Sequence, residues 1–162
     1  MRIRKSTTAD LSVMLQIYAA AREYMHANGN PTQWPGDYPP RESLEDNIAT
    51  GRSYVCVNEN DDVLATFYFA VEDDPTYREI DGKWLDDTAP YGVVHRIARR
   101  AGASGVGAFC IEWAFAQCGN LRIDTHENNG TMRDVLDRLG FKYCGIIWVL
   151  DHEERIAYQK IG

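Results

Sequence analysis

Residues 91–118 read YGVVHRIARRAGASGVGAFCIEWAFAQC. Val93, Val94 and Ile97, bounded by Gly92, form an apolar run that hardly alternates, the pattern of a mostly buried strand. Gly102, Gly105 and Gly107 follow, and Phe109, Ile111, Trp113, Phe115 and Ala116 then continue to Cys118 without Gly or Pro, long enough for a helix. Strand, glycine-rich turn and helix in that order gather backbone N–H groups at a helix N-terminus. The helix dipole adds partial positive charge there, so an anion is favoured. The expected guest is a phosphate, although a tight turn with no ligand would use the same glycines.

The spacing argues against two common phosphate binders. Gly102 and Gly107 fit the glycines of a P-loop, but Ala108 and Phe109 stand where Lys and Ser/Thr are needed. Cys110 stands where a dinucleotide fingerprint needs its third glycine. What the window does resemble is the phosphate loop of the GNAT family of N-acetyltransferases, Arg/Gln-x-x-Gly-x-Gly/Ala between a fourth strand and a third helix. Here it is Gly102-Ala103-Ser104-Gly105-Val106-Gly107, with Gly102 in place of the family's Arg or Gln. A second block, Asn129 followed by Met132, Leu136 and Leu139-Gly140-Phe141, is similar to the family's later Asn…Gly-Phe pattern.

Outside this stretch the chain supplies six further strands and three further helices. Arg2–Lys5 reads as a first strand, and Thr7-x-x-Asp10 opens a helix that carries Leu11, Met14, Leu15, Tyr18 and Met25 and stops at Gly29. Residues 30–40, NPTQWPGDYPP, hold four prolines with Trp34 and Tyr38, and cannot form a regular element. A short helix from Arg41 to Thr50 precedes a hairpin, Ser53–Asn58 and Val63–Val71. Glu72–Pro90 is a long acidic connection carrying Trp84. After the central segment come a strand Leu121–Thr125 and a helix Gly130–Leu139. A hairpin of Phe141–Leu150 and Arg155–Lys160, turning at Asp151-His152-Glu153-Glu154, ends the chain. This order predicts a single α/β (α+β) domain over 1–162, a mixed, mainly antiparallel sheet with helices on both faces. The resemblance implies the GNAT fold: seven strands, with the fourth and fifth splayed apart around the cofactor.

Composition narrows the partners. The 162 residues suit one domain, and a formal net charge of −7 argues against nucleic acid, which wants a basic stripe. No apolar run reaches membrane-spanning length and the first residues lack a signal-peptide core, so the expected compartment is the cytoplasm. Cys56, Cys110, Cys118 and Cys144 show no CxxC spacing and read as reduced thiols. His26, His95, His126 and His152 are scattered without ligand spacing, so no metal is expected. Asp124-Thr125-His126-Glu127-Asn128-Asn129 fails as a calcium loop, because His126 replaces an oxygen ligand and Asn129 the glycine.

The resemblance implies acetyl-CoA as co-substrate and direct attack by an amine, of a small molecule or a peptide, in a ternary complex. It assigns the cofactor to Ile97, Ala98 and Arg99 of the fourth strand, to Gly102, Ala103, Ser104, Gly105, Val106 and Gly107, and to Asn129 and Met132. The family's general acid is a tyrosine seven residues after the Asn; that position is Leu136, which cannot donate a proton. Tyr143, His126 and Cys144 are the candidate replacements, and Glu72 and His95 the candidate bases. Trp34, Tyr38 and Trp84, with the nearby carboxylates, are expected to flank the acceptor amine, through cation–π and charge attraction. A homodimer is left open. Two rival readings remain: a catalytically silent acyl-CoA-binding domain and a non-enzymatic interaction module.

Overall fold

The computed structural model describes residues 1–149 and 152–162. Its elements are β1 (Arg2–Lys5), α1 (Leu11–Ala27), α2 (Arg41–Ala49), β2 (Ser53–Val57), β3 (Val63–Val71), β4 (Asp81–Gly82) and β5 (Gly92–Arg99). Then come α3 (Val106–Cys118), β6 (Asn120–Thr125), α4 (Gly130–Arg138), β7 (Lys142–Val149) and β8 (Glu153–Ile161). All the strands join one sheet in the order β1-β2-β3-β5-β6-β8-β7-β4, and only β5 and β6 run parallel.

The sheet has eight strands rather than the seven expected. The extra one, β4, lies inside the long acidic connection and pairs with β7, Asp81 opposite Ile146 and Gly82 opposite Gly145. Two glycines make this possible. A Cβ on Gly82 would sit 2.1 Å from the Cys144 carbonyl oxygen, and one on Gly145 would sit 2.2 Å from that of Asp81. Backbone meets backbone where any side chain would prevent it. β8 already begins at Glu153, opposite Val149, rather than at Arg155; Leu150 of the expected strand and Asp151 of the expected turn lie outside the described residues.

Helices cover both faces. On one, Met14 and Tyr18 of α1 and Leu44 of α2 pack with Trp34 against Val55 and Ala98. On the other, α3 is apolar nearly all round because it is wedged against the sheet: Cys110, Ile111 and Ala114 are fully buried with Leu136 of α4. The Trp113 ring closes that side, its centroid 5.1 Å from Tyr54 and 5.6 Å from Phe69. Each fully buried Leu, Ile or Met contributes about 1.5–3 kcal/mol. A third cluster, with Tyr77, Trp84, Tyr91 and Val93, sits under the long connection. No helix among the described residues is long and apolar enough to cross a membrane.

The decisive feature lies at the middle of the sheet. β5 and β6 pair only at Gly92–Leu121 and Val93–Arg122, although both strands run on. Beyond Val93 the edge of β5 that faces β6 has no ladder partner, an opening that needs something else to satisfy its backbone. On its other edge β5 carries a bulge against β3: Thr66 faces Ala98 and Tyr68 faces His95, with an irregular register between. Arg96 sits in that bulge at φ 53°, a left-handed conformation uncommon for a non-glycine residue. The Tyr18 hydroxyl donates to its carbonyl at 2.9 Å and helps hold it there.

Candidate active site

The opening between β5 and β6 is the floor of a cleft of about 680 Å³. Its walls come from the proline-rich loop (Gln33, Trp34, Tyr38), from Asp74 and Thr76, and from Glu153 and Arg155 of β8. Gln33 ties that loop across the mouth. Its side-chain oxygen accepts from Asn30 at 2.7 Å and Asn129 at 3.2 Å, and its backbone carbonyl accepts from Arg155 at 3.4 Å.

His95 stands on the cleft floor with two carboxylates. Its Nε2 lies 2.7 Å from Asp74 Oδ2, and its Nδ1 lies 3.9 Å from Asp124 Oδ1. Asp74 is fixed by its own turn: its Oδ1 accepts from the Thr76 amide at 2.9 Å and from the Thr76 hydroxyl at 2.7 Å. Asp124 accepts from the buried Tyr77 hydroxyl at 2.6 Å. Burial works to raise the Asp74 carboxyl, but the bonds from His95 and Thr76 outweigh it and bring it to about 2. Burial likewise works to lower the His95 imidazole; the Asp74 bond and the charges of Asp124 and Asp74 prevail, so it is raised above the usual histidine value. An ionised Asp74 makes Nε2 the protonated nitrogen of neutral His95. Nδ1, 3.9 Å from Asp124 Oδ1, then carries the lone pair.

At the C-terminal end of β5 the chain turns through the glycine loop into α3. Gly102 and Gly105 are left-handed, at φ 83° and 73°, and Gly105 is the residue before the helix. The helical ladder starts with Phe109 N–H to the Gly105 carbonyl at 3.2 Å, so Val106, Gly107 and Ala108 ahead of it have no partner within the helix. Gly107 is informative because its φ is an ordinary negative one and a Cβ there would meet nothing within 4 Å. Protein packing does not explain a residue that costs about 1 kcal/mol against alanine in a helix. The amide of Ala103 is spent on the Arg100 carbonyl at 3.1 Å, and Ser104 is exposed.

The remaining expected residues divide sharply. Ile97 lines the cleft within the bulged stretch, whereas Ala98 packs into the core beneath α1 and the Arg99 guanidinium folds back onto the Ala103 carbonyl at 2.7 Å. Asn129 and Met132 line the opposite wall, and the Asn129 side chain caps α4 by accepting from Met132 N–H at 3.1 Å. Trp34 and Tyr38 line the cleft, but Trp34 is only 6% exposed and its ring is core as well as wall. Trp84 is not at the cleft. It is buried under the long connection, with its indole N–H given to the Tyr77 carbonyl at 3.0 Å. Tyr143 is 57% exposed and edge-on to Tyr158, outside the cleft. Cys144 is buried in the third cluster. Glu72 accepts a hydrogen bond from the Tyr68 hydroxyl and faces Arg52, also outside the cleft. His126 sits beside the mouth with Nδ1 accepting from Asn128 N–H at 3.0 Å, and burial with the Arg155 charge lowers its pKa. Leu136 is completely buried, so no acid replaces the tyrosine there.

Asp74, Asp124 and Tyr77 are the members the sequence reading missed as a group. Asp74-Pro75-Thr76 carries a usable signal, an Asp that caps its own turn. The meeting of Asp74 with Asp124 across His95 is tertiary.

No protein-family model and no curated protein sequence matches the chain. Solved structures do. A GNAT-family acetyltransferase from Streptococcus agalactiae is 29% identical with a TM-score of 0.89, over 99% of this chain and 95% of that one. A ribosomal-protein-alanine N-acetyltransferase from Brucella melitensis is 19% identical with a TM-score of 0.65, over 100% of both. A GNAT-superfamily phosphinothricin acetyltransferase from Sinorhizobium meliloti, in complex with AcCoA, is 16% identical with a TM-score of 0.64, over 98% of this chain and 86% of that one.

Proposed function

Because the chain belongs to the GNAT family of acetyltransferases, we propose that it moves an acetyl group from acetyl-CoA to a primary amine held in the same cleft. The observation that carries this is the alignment of three parts on one strand. β5 has an unpaired edge beside β6, a histidine with a lone pair at mid-strand, and a helix N-terminus with free amides at its end. The amides of Val106, Gly107 and Ala108 suit the pyrophosphate of the donor, and Ile97 and Asn129 flank the path toward the floor. Bound there, acetyl-CoA supplies an activated thioester.

The residues of the chain then have a proton to manage. An incoming ammonium is attracted by Asp124 and gives up a proton to His95 Nδ1, while Asp74 keeps the ring oriented and steadies the imidazolium. The freed amine forms the C–N bond as the C–S bond breaks, and the proton then shed by the nitrogen is taken up, through solvent, by the departing thiolate to give the CoA thiol. With Leu136 at the tyrosine position, the sulfur leaves without a dedicated acid, tolerable for a thiol of pKa about 8.5. The test is thiol release from acetyl-CoA with a panel of amines, with mass detection of the acetylated product. Amine-dependent release with a 1:1 acetylated product is expected. Tight acetyl-CoA binding without product from any amine would refute it.

A further inference from the structure

The cleft's charges do not match a polycation. Asp74 is engaged by His95, and Glu153 lies 3.5 Å from Arg155, whose guanidinium also reaches the Gln33 carbonyl. Among the described residues that line the cleft, that leaves one anion and one cation without a full counter-ion. The anion is Asp124, hydrogen-bonded by the Tyr77 hydroxyl. The cation is Arg96, whose guanidinium meets Asn47 Oδ1 and the Tyr68 ring and makes no ion pair.

The bulge brings Arg96 to the same side of β5 as His95, whose Nδ1 lies 3.9 Å from Asp124. In a regular strand His95 and Arg96 would point to opposite faces; the extra residue lets neighbours share one. Here the His95 ring and the Arg96 guanidinium carbon each lie 5.6 Å from the Tyr68 centroid, and both side chains line the cleft. Arg96 is half-buried, and only part of its five-donor fork is used by Asn47. A half-buried guanidinium with spare donors suits a planar oxyanion.

Taking the acetyl-transfer reading above as its basis, we infer that the acceptor is a small zwitterion, a primary amine bearing a carboxylate as a free amino acid does. Its ammonium goes to Asp124 and His95, and its carboxylate to Arg96. A polyamine or a simple alkylamine would leave Arg96 facing the cleft uncompensated.

The experiment compares free amino acids with the amines obtained by removing their carboxylates, using thiol release to measure kcat/KM for each pair. At least one amino acid should exceed its decarboxylated partner by about tenfold or more, the scale of one charge-assisted hydrogen bond. Arg96→Gln should bring that ratio close to one, and Arg96→Lys, which keeps the charge without the fork, should fall between. A merely structural role for Arg96 would lower both members of a pair together and leave the ratio in place, which overturns the inference. So does a wild-type ratio of one or less while amines are acetylated, and that outcome leaves the acetyl-transfer reading standing. Failure of every amine despite acetyl-CoA binding overturns both.

Discussion

His95 is legible only halfway from the sequence. Its place in an apolar strand is equally that of a packed core histidine, and what distinguishes it is two carboxylates arriving from elsewhere in the chain. His95→Gln should lower kcat by about 10²–10⁴, the usual contribution of a positioned base, with acetyl-CoA affinity unchanged. Steady-state kinetics with calorimetry checks both halves. The wild-type kcat/KM should rise with pH along a limb lying above the ordinary histidine pKa of 6.5, because the base works only when neutral and the fold raises its pKa. His95→Gln should lose that limb. Stability runs the other way. The protonated His95 contributes fully below about pH 6.5, and its contribution fades as pH rises through the raised folded value. Melting curves between those limits should show a decline that His95→Gln flattens.

Elements position these residues, and two contacts do most of the fastening. Arg122 of β6 is almost fully buried, with its guanidinium carbon 4.1 Å from the Trp84 ring and 3.8 Å from the Tyr91 ring, and it donates to the Asp86 carbonyl at 2.9 Å. That sandwich pins the connection that carries Asp74. Arg122→Ala should cost at least about 2 kcal/mol, the worth of a desolvated cation–π contact, and should lower kcat as Asp74 loosens. Denaturant unfolding and kinetics read the two effects separately. Trp34 fastens the other wall. The proline-stiffened loop reads as a presenter of free aromatic rings, yet Trp34 packs 5.6 Å from Tyr18, among Leu11, Met14 and Leu44. Trp34→Ala is therefore expected to lose about 3–5 kcal/mol of stability, a large fall in Tm. An unchanged Tm would show that the ring is only a cleft lining. The long connection was hardest to read, because its strand β4 exists only where Gly82 meets Gly145, a contact with no local periodicity.

At the scale of the whole molecule, the fold was legible because periodic apolar faces and glycine punctuation are local signals. Strand, glycine turn and helix at residues 91–118 stand where expected, as β5, its loop and α3; that α3 crosses over to a parallel β6 is the structure's addition. The cleft was legible only through family resemblance, since the splaying of two strands leaves no mark in composition. The acceptor side was the least readable: the acidic tract from Glu72 looked like a uniform cation trap, while the structure spends Asp74 on His95, Asp73 on Arg78 and Asp87 on Arg122. The central claim is that the sheet opens to receive acetyl-CoA with its phosphates on the first turn of α3. Calorimetric titration of acetyl-CoA into wild-type protein and Gly107→Glu tests it without needing to know the acceptor. A Cβ at Gly107 touches no protein atom, and a carboxylate near a helix N-terminus stabilises the helix, so Tm should hold or rise. Affinity should nevertheless fall by at least about a hundredfold, through lost amide–phosphate bonds and charge repulsion. Equal affinity in a folded Gly107→Glu variant would contradict the account.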